Sequence, residues 1–187
     1  MTKARDLANG GFGLVLMKPS SVVGGTDNGK GTVTFSGASS VSLNDVFNTN
    51  YDNYFLTGNF DASASSPEIR FRFRVSGSDN SSAQYRYQVI EAGGTTTAAG
   101  RTTGATWWYI ARGSNTVRNF WNLQINSPFI STIRTTGFSN INQQSDGTIY
   151  VDSVTSAIDV TTSYTGFTIF PETGTFSGTI SVYGYNK

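Results

Sequence analysis

Apolar and polar residues alternate along much of this 187-residue chain. A period of two places successive side chains on opposite faces, as in a β-strand that is buried on one side only. The alternation is strictest at residues 68–75, where every second residue is apolar, and it returns at residues 84–89. We predict that these two runs pair as an antiparallel hairpin, because a turn-forming segment at residues 77–81 separates them.

The same kind of signal predicts many short strands and no amphipathic helix of ordinary length. Residues 44–47 could form a single helical turn capped by Asn44, and residues 93–106 are predicted to be an exposed loop because they include no apolar anchor. The pattern predicts an all-β fold, an antiparallel two-sheet sandwich that is jelly-roll-like, although another Greek-key sandwich fits equally well. Further strands are predicted at residues 32–35, 41–43, 51–61, 107–110, 117–125, 130–135, 148–160, 167–170 and 176–185.

Residues 1–28 differ from the rest and are predicted to be a short N-terminal arm ending in a linker, with the β-sandwich domain at residues 29–187. The apolar residues Leu14, Val15 and Leu16 make the arm a candidate anchor that orders against a partner. A disordered arm is the other interpretation. This apolar stretch is too short for a membrane span or a signal peptide, which predicts a protein made in the cytoplasm and not secreted by a signal route.

Composition narrows the classes of partner. Charged residues make up 13% of the chain, and the formal net charge is +1. A charge this small produces no broad field that would attract nucleic acid, and no segment is suited to membrane insertion. Aromatic residues reach 13%, which is the opposite of a disordered composition. We expect a folded domain that binds neither nucleic acid nor a membrane.

The chain contains no histidine and no cysteine. This excludes a Ser-His-Asp triad, a Cys-His pair, disulfides and the usual zinc ligands, and no calcium or phosphate loop is found. A carboxylate pair is the remaining route to hydrolysis, with Asp152 and Asp159 as the best candidates. Because seven positions separate them, they lie on opposite faces of a straight strand. We predict a protein that is not an enzyme and has no cofactor or metal.

Three arginines, Arg70, Arg72 and Arg74, alternate with apolar residues and are predicted to share one face of their strand. Arg86 is placed beside them, on the strand predicted to pair with theirs. Like charges this close need compensation from water, carboxylates or an anionic partner. Three interpretations stay open: a solvated face on which arginine stems cover apolar surface, a subunit interface, or a site for an acidic sugar or phosphate.

An aromatic cluster is a second candidate contact surface. Trp107 and Trp108 are adjacent, so they point to opposite faces of a strand and at most one lies in the core. The other, with Tyr109, is a candidate for an interface or for stacking on sugar rings, next to the predicted loop at residues 93–106. Trp121 lies on the apolar face of its strand and is predicted to be buried.

Two motifs resemble the β-sandwich structural proteins of tailed bacteriophages, which include tail-fibre tip domains and small virion proteins. Residues 40–56 contain an SxxxVF element followed by YDNYFL, and residues 178–186 contain the closing strand GTISVYGYN. The resemblance runs from about Gly29 to the C-terminus.

This resemblance implies a non-enzymatic virion structural protein, either a tail-fibre or receptor-binding subunit or a capsid-decoration subunit. It also implies a location in the virion, a homotrimer, contacts with other virion proteins and host-surface polysaccharide as a further partner. A stand-alone carbohydrate-binding module or lectin is the alternative. The features that favour the alternative are the tryptophans, the tyrosine-rich strands and the polar loops.

Overall fold

The computed structural model describes residues 13–145 and 147–185, and these residues form sixteen β-strands and no helix. The first eight are β1 Val15–Leu16, β2 Ser21–Val23, β3 Thr26–Asp27, β4 Thr32–Ala38, β5 Val41–Asn44, β6 Asn53–Ala62, β7 Glu68–Val75 and β8 Ser78–Asp79. The others are β9 Tyr85–Gly93, β10 Thr96–Ala105, β11 Trp108–Arg112, β12 Asn119–Asn126, β13 Thr136–Ser145, β14 Thr148–Ile158, β15 Gly166–Pro171 and β16 Phe176–Tyr185.

The strands form two antiparallel sheets, which confirms the predicted all-β sandwich. The large sheet has ten strands in the order β10-β9-β14-β13-β12-β6-β16-β4-β3, with β1 also beside β16. The small sheet has six strands in the order β11-β7-β15-β5-β2, with β8 also beside β7. The inner faces of the two sheets enclose the core, and the large sheet has an outer face that the small sheet does not cover.

The core between the sheets is dominated by aromatic rings. Phe73 on β7 is fully buried, and its ring centroid lies 4.8 Å from that of Trp108 and 4.5 Å from that of Tyr164. Phe71, on the same strand, stacks on Trp108 at 5.8 Å and on Phe167 at 5.1 Å. Phe71 and Phe73 are inward positions of the alternating run, so the sequence pattern itself accounts for their burial.

Polar atoms of two buried aromatic side chains bond between the sheets. Trp108 on β11 donates its indole N–H to the carbonyl oxygen of Ala157 on β14 at 2.9 Å. The Tyr85 hydroxyl on β9 accepts the backbone N–H of Phe73 at 3.0 Å and donates to the carbonyl oxygen of Asn80 at 2.8 Å. Because a buried polar atom without a partner is costly, these bonds favour one position of the small sheet on the large one.

The predicted hairpin between residues 68–75 and 84–89 is wrong. β7 ends in a two-residue turn, Ser76 and Gly77, whose φ angles of 50° and 77° suit a tight hairpin. This turn pairs β7 with the short strand β8. The chain then passes to the large sheet, where β9 pairs with β10 and β14. Alternation identified both strands, but it carries no information on which sheet a strand joins.

The predicted loop at residues 93–106 is wrong as well. The chain turns after β9 at Gly94, where φ is 58°, and returns as β10, which pairs with β9. Every residue of β10 is exposed or half-buried, so neither face of this edge strand needs apolar side chains. The alternation that identifies a half-buried strand is therefore missing from its sequence.

The helical turn predicted at residues 44–47 is absent from the described structure. Asn44 is the last residue of β5, and Asp45 has a positive φ of 56°, which is a left-handed turn conformation. Phe47 then enters the core, where its ring centroid lies 4.7 Å from that of Tyr54. Burial of this ring outweighs the weak local preference for a capped turn.

The described part of the predicted arm and linker, residues 13–28, lies against both sheets. β1 pairs with β16 and β3 with β4 in the large sheet, and β2 pairs with β5 in the small one. Leu14 and Val15 are 55% and 42% exposed, and Leu16 is half-buried. An anchoring function for these three residues stays a prediction, as does the domain boundary, and residues 1–12 lie outside the described residues.

We expect Phe73→Ala to lower the free energy of unfolding by about 3–5 kcal/mol, because it removes a fully buried ring and leaves a cavity. Phe120→Ala is the matched control, since its ring is 69% exposed and its loss should change stability by about 0.5 kcal/mol or less. Urea unfolding followed by tryptophan fluorescence measures both variants. Equal losses for the two would contradict this account of the core.

Candidate functional site

The three arginines of β7 share the outer face of the small sheet, as predicted, because the residues between them are buried. Two carboxylates compensate the positive charge of Arg70, since its guanidinium donates to Glu68 at 3.0 Å and to Glu172 at 2.7 Å. The same guanidinium lies over the ring of Trp107, 4.1 Å from its centroid. Trp107 is half-buried, and Arg70 covers one face of its ring, so that face is closed to a sugar.

The other two arginines of β7 are engaged within the chain as well. Arg72 donates to the carbonyl oxygen of Thr106 at 3.0 Å and lies 4.7 Å from the ring centroid of Phe170. Arg74 forms an ion pair with Asp79, and the Arg74 side chain is only 12% exposed. Carboxylates and rings of the same chain thus supply the compensation that these charges need, which favours a structural function over an open anion site.

The remaining predicted contact residues lie elsewhere. Trp108 is fully buried and Tyr109 is 4% exposed, so neither can contact a partner while the protein is folded. Arg86 lies on β9 in the large sheet and donates to Asp159 at 2.6 Å. Its predicted position beside the arginines of β7 is wrong, because the two strands belong to different sheets. Trp121 is buried, as predicted.

A polar cluster lies inside the sandwich, between β11 and the strands β13 and β14. The Tyr109 hydroxyl and the Gln143 amide both donate to Asp152, the amide at 3.1 Å. Burial raises the pKa of Asp152 above its ordinary value. Burial and the adjacent Asp152 carboxylate raise the pKa of Tyr109, so the tyrosine stays protonated and donates. Gln143 also accepts the backbone N–H of Arg112 at 2.7 Å, and the cluster therefore joins the two sheets.

The candidate carboxylate pair is not brought together. Asp152 points into the sandwich and is fully buried, whereas Asp159 follows β14 and pairs with Arg86. Seven positions along an extended strand span roughly 23 Å, and the two carboxylates of a glycosidase lie about 5–10 Å apart. Asp152 and Asp159 therefore cannot act on one glycosidic bond.

The outer face of the large sheet is broad and is covered mainly by side-chain amides. Along β6, β12 and β13 the side chains alternate between the core and this face. The eight outward amides of these three neighbouring strands form what we call the amide patch. The patch consists of Asn53, Asn59, Asn122, Gln124, Asn126, Asn140, Asn142 and Gln144.

Much of the hydrogen-bonding capacity of the amide patch is unused. Within the described part of the chain, the side chains of Asn122, Gln124, Asn140 and Asn142 make no hydrogen bond to another residue. Each side-chain amide has two N–H donors and a carbonyl acceptor. Neighbouring strands lie about 4.8 Å apart and outward residues repeat about every 6.8 Å along a strand, so these groups form a regular two-dimensional array.

Exposed aromatic rings stand among the amides. Phe120 on β12 lies between Asn142 of β13 and Asn59 of β6 in the strand register, and its ring is 69% exposed. Phe138 on β13 is opposite Gln124 of β12 and is 37% exposed. Apolar rings and amides therefore alternate across neighbouring strands of the same face.

A surface depression of about 260 Å³ lies beside Phe120. Its lining includes Ile149, which is 68% exposed, and the amides Asn142 and Gln144. The depression thus combines apolar side chains with hydrogen-bond donors and acceptors, and Arg118 lines it as well. A ligand that fits it has apolar C–H faces and polar groups around its perimeter.

Charge is nearly absent from the centre of this face. Among the described residues of β6, β12, β13 and β14, Asp61 is the one charged side chain that points outward, and Arg118 bonds it at 2.7 Å. Arg86 and Arg101 lie at the opposite corner, on β9 and β10. The face is therefore suited to a ligand that is bound by hydrogen bonds and ring contacts.

Sequence reasoning missed the amide patch. The sequence pattern does not predict a strand at residues 136–145, because the outward positions include the apolar Phe138 and the inward positions include Gly137, Ser139 and Gln143. The sequence signal that could have identified the amide patch is the type of residue at the outward positions of a strand. Lysine and glutamate are common at such positions on solvated surfaces. Asparagine and glutamine at alternate positions are a departure from that norm.

No three side chains of His, Cys, Asp or Glu in residues 13–145 and 147–185 are placed to hold a metal ion. Nor do the described residues include a helix with the length and apolar character that crossing a membrane requires.

Comparisons with known proteins give no family assignment. No family model matches the chain, and no curated protein matches it. The resemblance to phage virion proteins, inferred from two motifs, therefore stays a prediction.

Three solved structures illustrate the likeness that exists. The C-terminal CBM6 of LamC, a marine laminarinase from Zobellia galactanivorans, matches at 8% identity and a TM-score of 0.32, over 91% of this chain and 99% of that chain. The Caenorhabditis elegans galectin LEC-6 matches at 10% identity and a TM-score of 0.31, over 77% and 96%. The SPRY domain of human HERC1 matches at 8% identity and a TM-score of 0.34, over 94% and 99%. Likenesses this weak carry no argument about function, which has to come from the residues of the chain.

Replacing Asp152 with Asn should change how stability depends on pH. Because burial raises the pKa of Asp152 in the folded protein, the native state binds this proton more tightly than the unfolded state does. The wild type therefore loses stability from this group as the pH rises from the ordinary value of 3.8 through the raised pKa. The variant lacks this loss, so its stability relative to the wild type should increase over that range.

Urea unfolding of both proteins at several pH values between acid and neutral measures the difference. Asp61→Asn, which removes a surface carboxylate, controls for the change in net charge. Parallel stability curves for wild type and Asp152→Asn would contradict the predicted shift.

Proposed function

We propose that this protein binds polysaccharide through the amide patch and the exposed rings of Phe120 and Phe138. The observation that carries the proposal is the composition of the outer face of the large sheet, where uncharged amides alternate with exposed rings. This is the carbohydrate-binding alternative raised by the sequence, moved from the tryptophan cluster to a different surface.

The chemistry of the face matches the chemistry of sugars. A sugar hydroxyl both donates and accepts hydrogen bonds, and a side-chain amide offers both kinds of group. The C–H faces of a sugar are apolar and can lie against an exposed ring such as that of Phe120. Neutral amides are also less costly to remove from water than ionised groups. A regular array of such groups is suited to a polymer of repeating units.

A protein partner would match this face less well. The centre of a protein–protein interface is enriched in Tyr, Trp, Met and Arg and is surrounded by a polar rim. Here the amides occupy the centre, and the rings of Phe120 and Phe138 are spaced between them. Amides dispersed in this way favour a ligand with many hydroxyls over an apolar protein surface.

The proposal is binding without hydrolysis. Cleavage of a glycosidic bond uses two carboxylates about 5–10 Å apart. The outward residues described on β6, β12, β13 and β14 supply one carboxylate, Asp61, and Arg118 already bonds it. The candidate pair of Asp152 and Asp159 is separated by the sheet itself, because Asp152 is buried on the inner face.

Phe120→Ala and Asn142→Ala should each weaken polysaccharide binding about 5- to 30-fold, which corresponds to 1–2 kcal/mol per lost contact. Both side chains face solvent, so the melting temperature should be unchanged. Affinity gel electrophoresis against a panel of soluble polysaccharides measures the effect.

Val23→Ala is the control for this experiment, because Val23 is 59% exposed on β2 of the small sheet. If no polysaccharide retards the wild type, or if the two variants bind as the wild type does, the proposal fails.

We propose as a second, compatible function a virion subunit of a tailed phage that presents this face to host-surface polysaccharide. Leu14 and Val15 expose apolar surface that could contact other virion proteins. β10 is a ten-residue edge strand whose partner on one side is β9, and its other edge could receive a strand of a neighbouring copy. These features support a homo-oligomer, and the phage resemblance implies a homotrimer.

The mass of the purified protein in solution, measured by light scattering, tests this second function. We expect a trimer, and electron microscopy with a labelled antibody should locate the protein on phage particles. A monomer that is absent from particles would rule out the virion function and leave the polysaccharide proposal standing.

A further inference from the structure

One corner of the outer face of the large sheet is positively charged. Arg86 on β9 and Arg101 on the neighbouring strand β10 line a depression of about 240 Å³ there. Gln88, Thr136 and Thr155 line it as well. We call this depression and its lining the arginine corner. Its amide and hydroxyl groups are of the same uncharged kind as those of the amide patch, so the corner continues that surface.

The charge of the arginine corner is not balanced. Arg86 donates to Asp159 at 2.6 Å, and Arg134 lies 3.8 Å from the same carboxylate, so two guanidiniums share one anion. Arg101 is exposed and forms no ion pair within the described residues. On the inner side of β9, Glu91 is already bonded by an arginine of β11 at 2.9 Å. A surplus of positive charge therefore remains at the end of an otherwise uncharged face.

The arginines of β7 provide an internal contrast. There the guanidinium of Arg70 is held by two carboxylates and by a tryptophan ring. Arg101 makes no ion pair and lies over no ring among the described residues, so its five N–H donors stay available. Glu68 and Glu91 line a depression with Arg101, but Arg70 and Arg112 already bond them. The guanidinium of Arg70 on the small sheet is thus engaged within the chain, whereas that of Arg101 on the large sheet is available to a ligand.

From this arrangement we infer that the polysaccharide bound by the outer face is acidic, and that Arg101 and Arg86 hold its carboxylate or sulfate groups. The inference rests on the proposed polysaccharide-binding function and names its ligand class. A guanidinium presents paired N–H donors that match two oxygens of a carboxylate or sulfate. Phe120 on β12 and Arg101 on β10 are separated by four strand spacings, roughly 19 Å, and by an offset of four residues along the strands, roughly 14 Å. The two residues therefore lie roughly 24 Å apart, and one extended chain can contact both.

Binding to three soluble polymers tests the inference: polygalacturonate with carboxylates, dextran sulfate with sulfates, and neutral dextran. We expect the wild type to bind at least one acidic polymer more tightly than dextran, with affinity that falls as salt is added. Arg101→Gln should weaken binding to that acidic polymer about tenfold or more, because it removes a charge-assisted hydrogen bond. The acidic polymer that binds more tightly than dextran shows whether the bound group is a carboxylate or a sulfate.

Two controls separate a glycan subsite from simple attraction between charges. Lys30→Gln removes the same charge from the opposite end of the large sheet, in the turn between β3 and β4, and should bind the acidic polymer as the wild type does. Poly-glutamate is an anionic polymer without sugar rings. It should bind weakly, and Phe120→Ala should weaken binding of the acidic polysaccharide but not of poly-glutamate.

The outcomes are distinguishable from failure of the proposed function. Equal binding of dextran and the acidic polymers, with no effect of Arg101→Gln, would overturn the acidic ligand and leave polysaccharide binding intact. Poly-glutamate binding as tight as that of polygalacturonate, with no effect of Phe120→Ala, would also overturn it, since charge alone would explain the affinity. Failure of every polysaccharide tested would overturn both proposals.

Discussion

The packing of one face of the large sheet against the small sheet is the interaction on which the rest of the structure depends. Phe71, Phe73 and Trp108 form the aromatic centre of that packing. Since successive side chains of a strand point to opposite faces, the burial of Trp121, Leu123 and Ile125 makes Asn122 and Gln124 face outward. The amide patch is thus the reverse side of the core, and whatever fixes the core also fixes the spacing of the amides.

Buried polar groups then select one register among the arrangements that apolar packing would accept. Apolar contacts are tolerant of small slips, whereas the bond from the Trp108 indole to Ala157 and the bonds of Tyr109 and Gln143 to Asp152 are directional. A slip of one residue in β13 would turn its outward amides into the core and would expose Ile141 and Gln143 to solvent. The cluster around Asp152 therefore helps to fix the geometry of the amide patch, which lies on the other side of the sheet.

The arginines show why residue type alone is a poor guide to function here. The alternating pattern predicts an open cationic row that includes Arg70 and Arg74, yet two carboxylates compensate these charges. Glu172 comes from a distant part of the chain, and Asp79 comes from the adjacent strand β8. The sequence gives no sign that Arg101 is a contact residue, because β10 has no alternating pattern that identifies it as a strand. It becomes a candidate contact only when pairing with β9 places it beside Arg86 at the edge of an uncharged face.

The sequence by itself determined the all-β class, the inward residues of strands such as β7 and β12, and the absence of the histidine and cysteine that many catalytic and metal sites need. These are local properties, because alternation and composition can be read over a few neighbouring residues. Only the tertiary structure decided that β7 and β9 lie in different sheets, that β10 is a strand, and that β6, β12 and β13 bring their amides together. Strand pairing depends on competition between segments far apart in the chain, here settled by the tight turn after β7 and by burial, and no short stretch of residues contains that information.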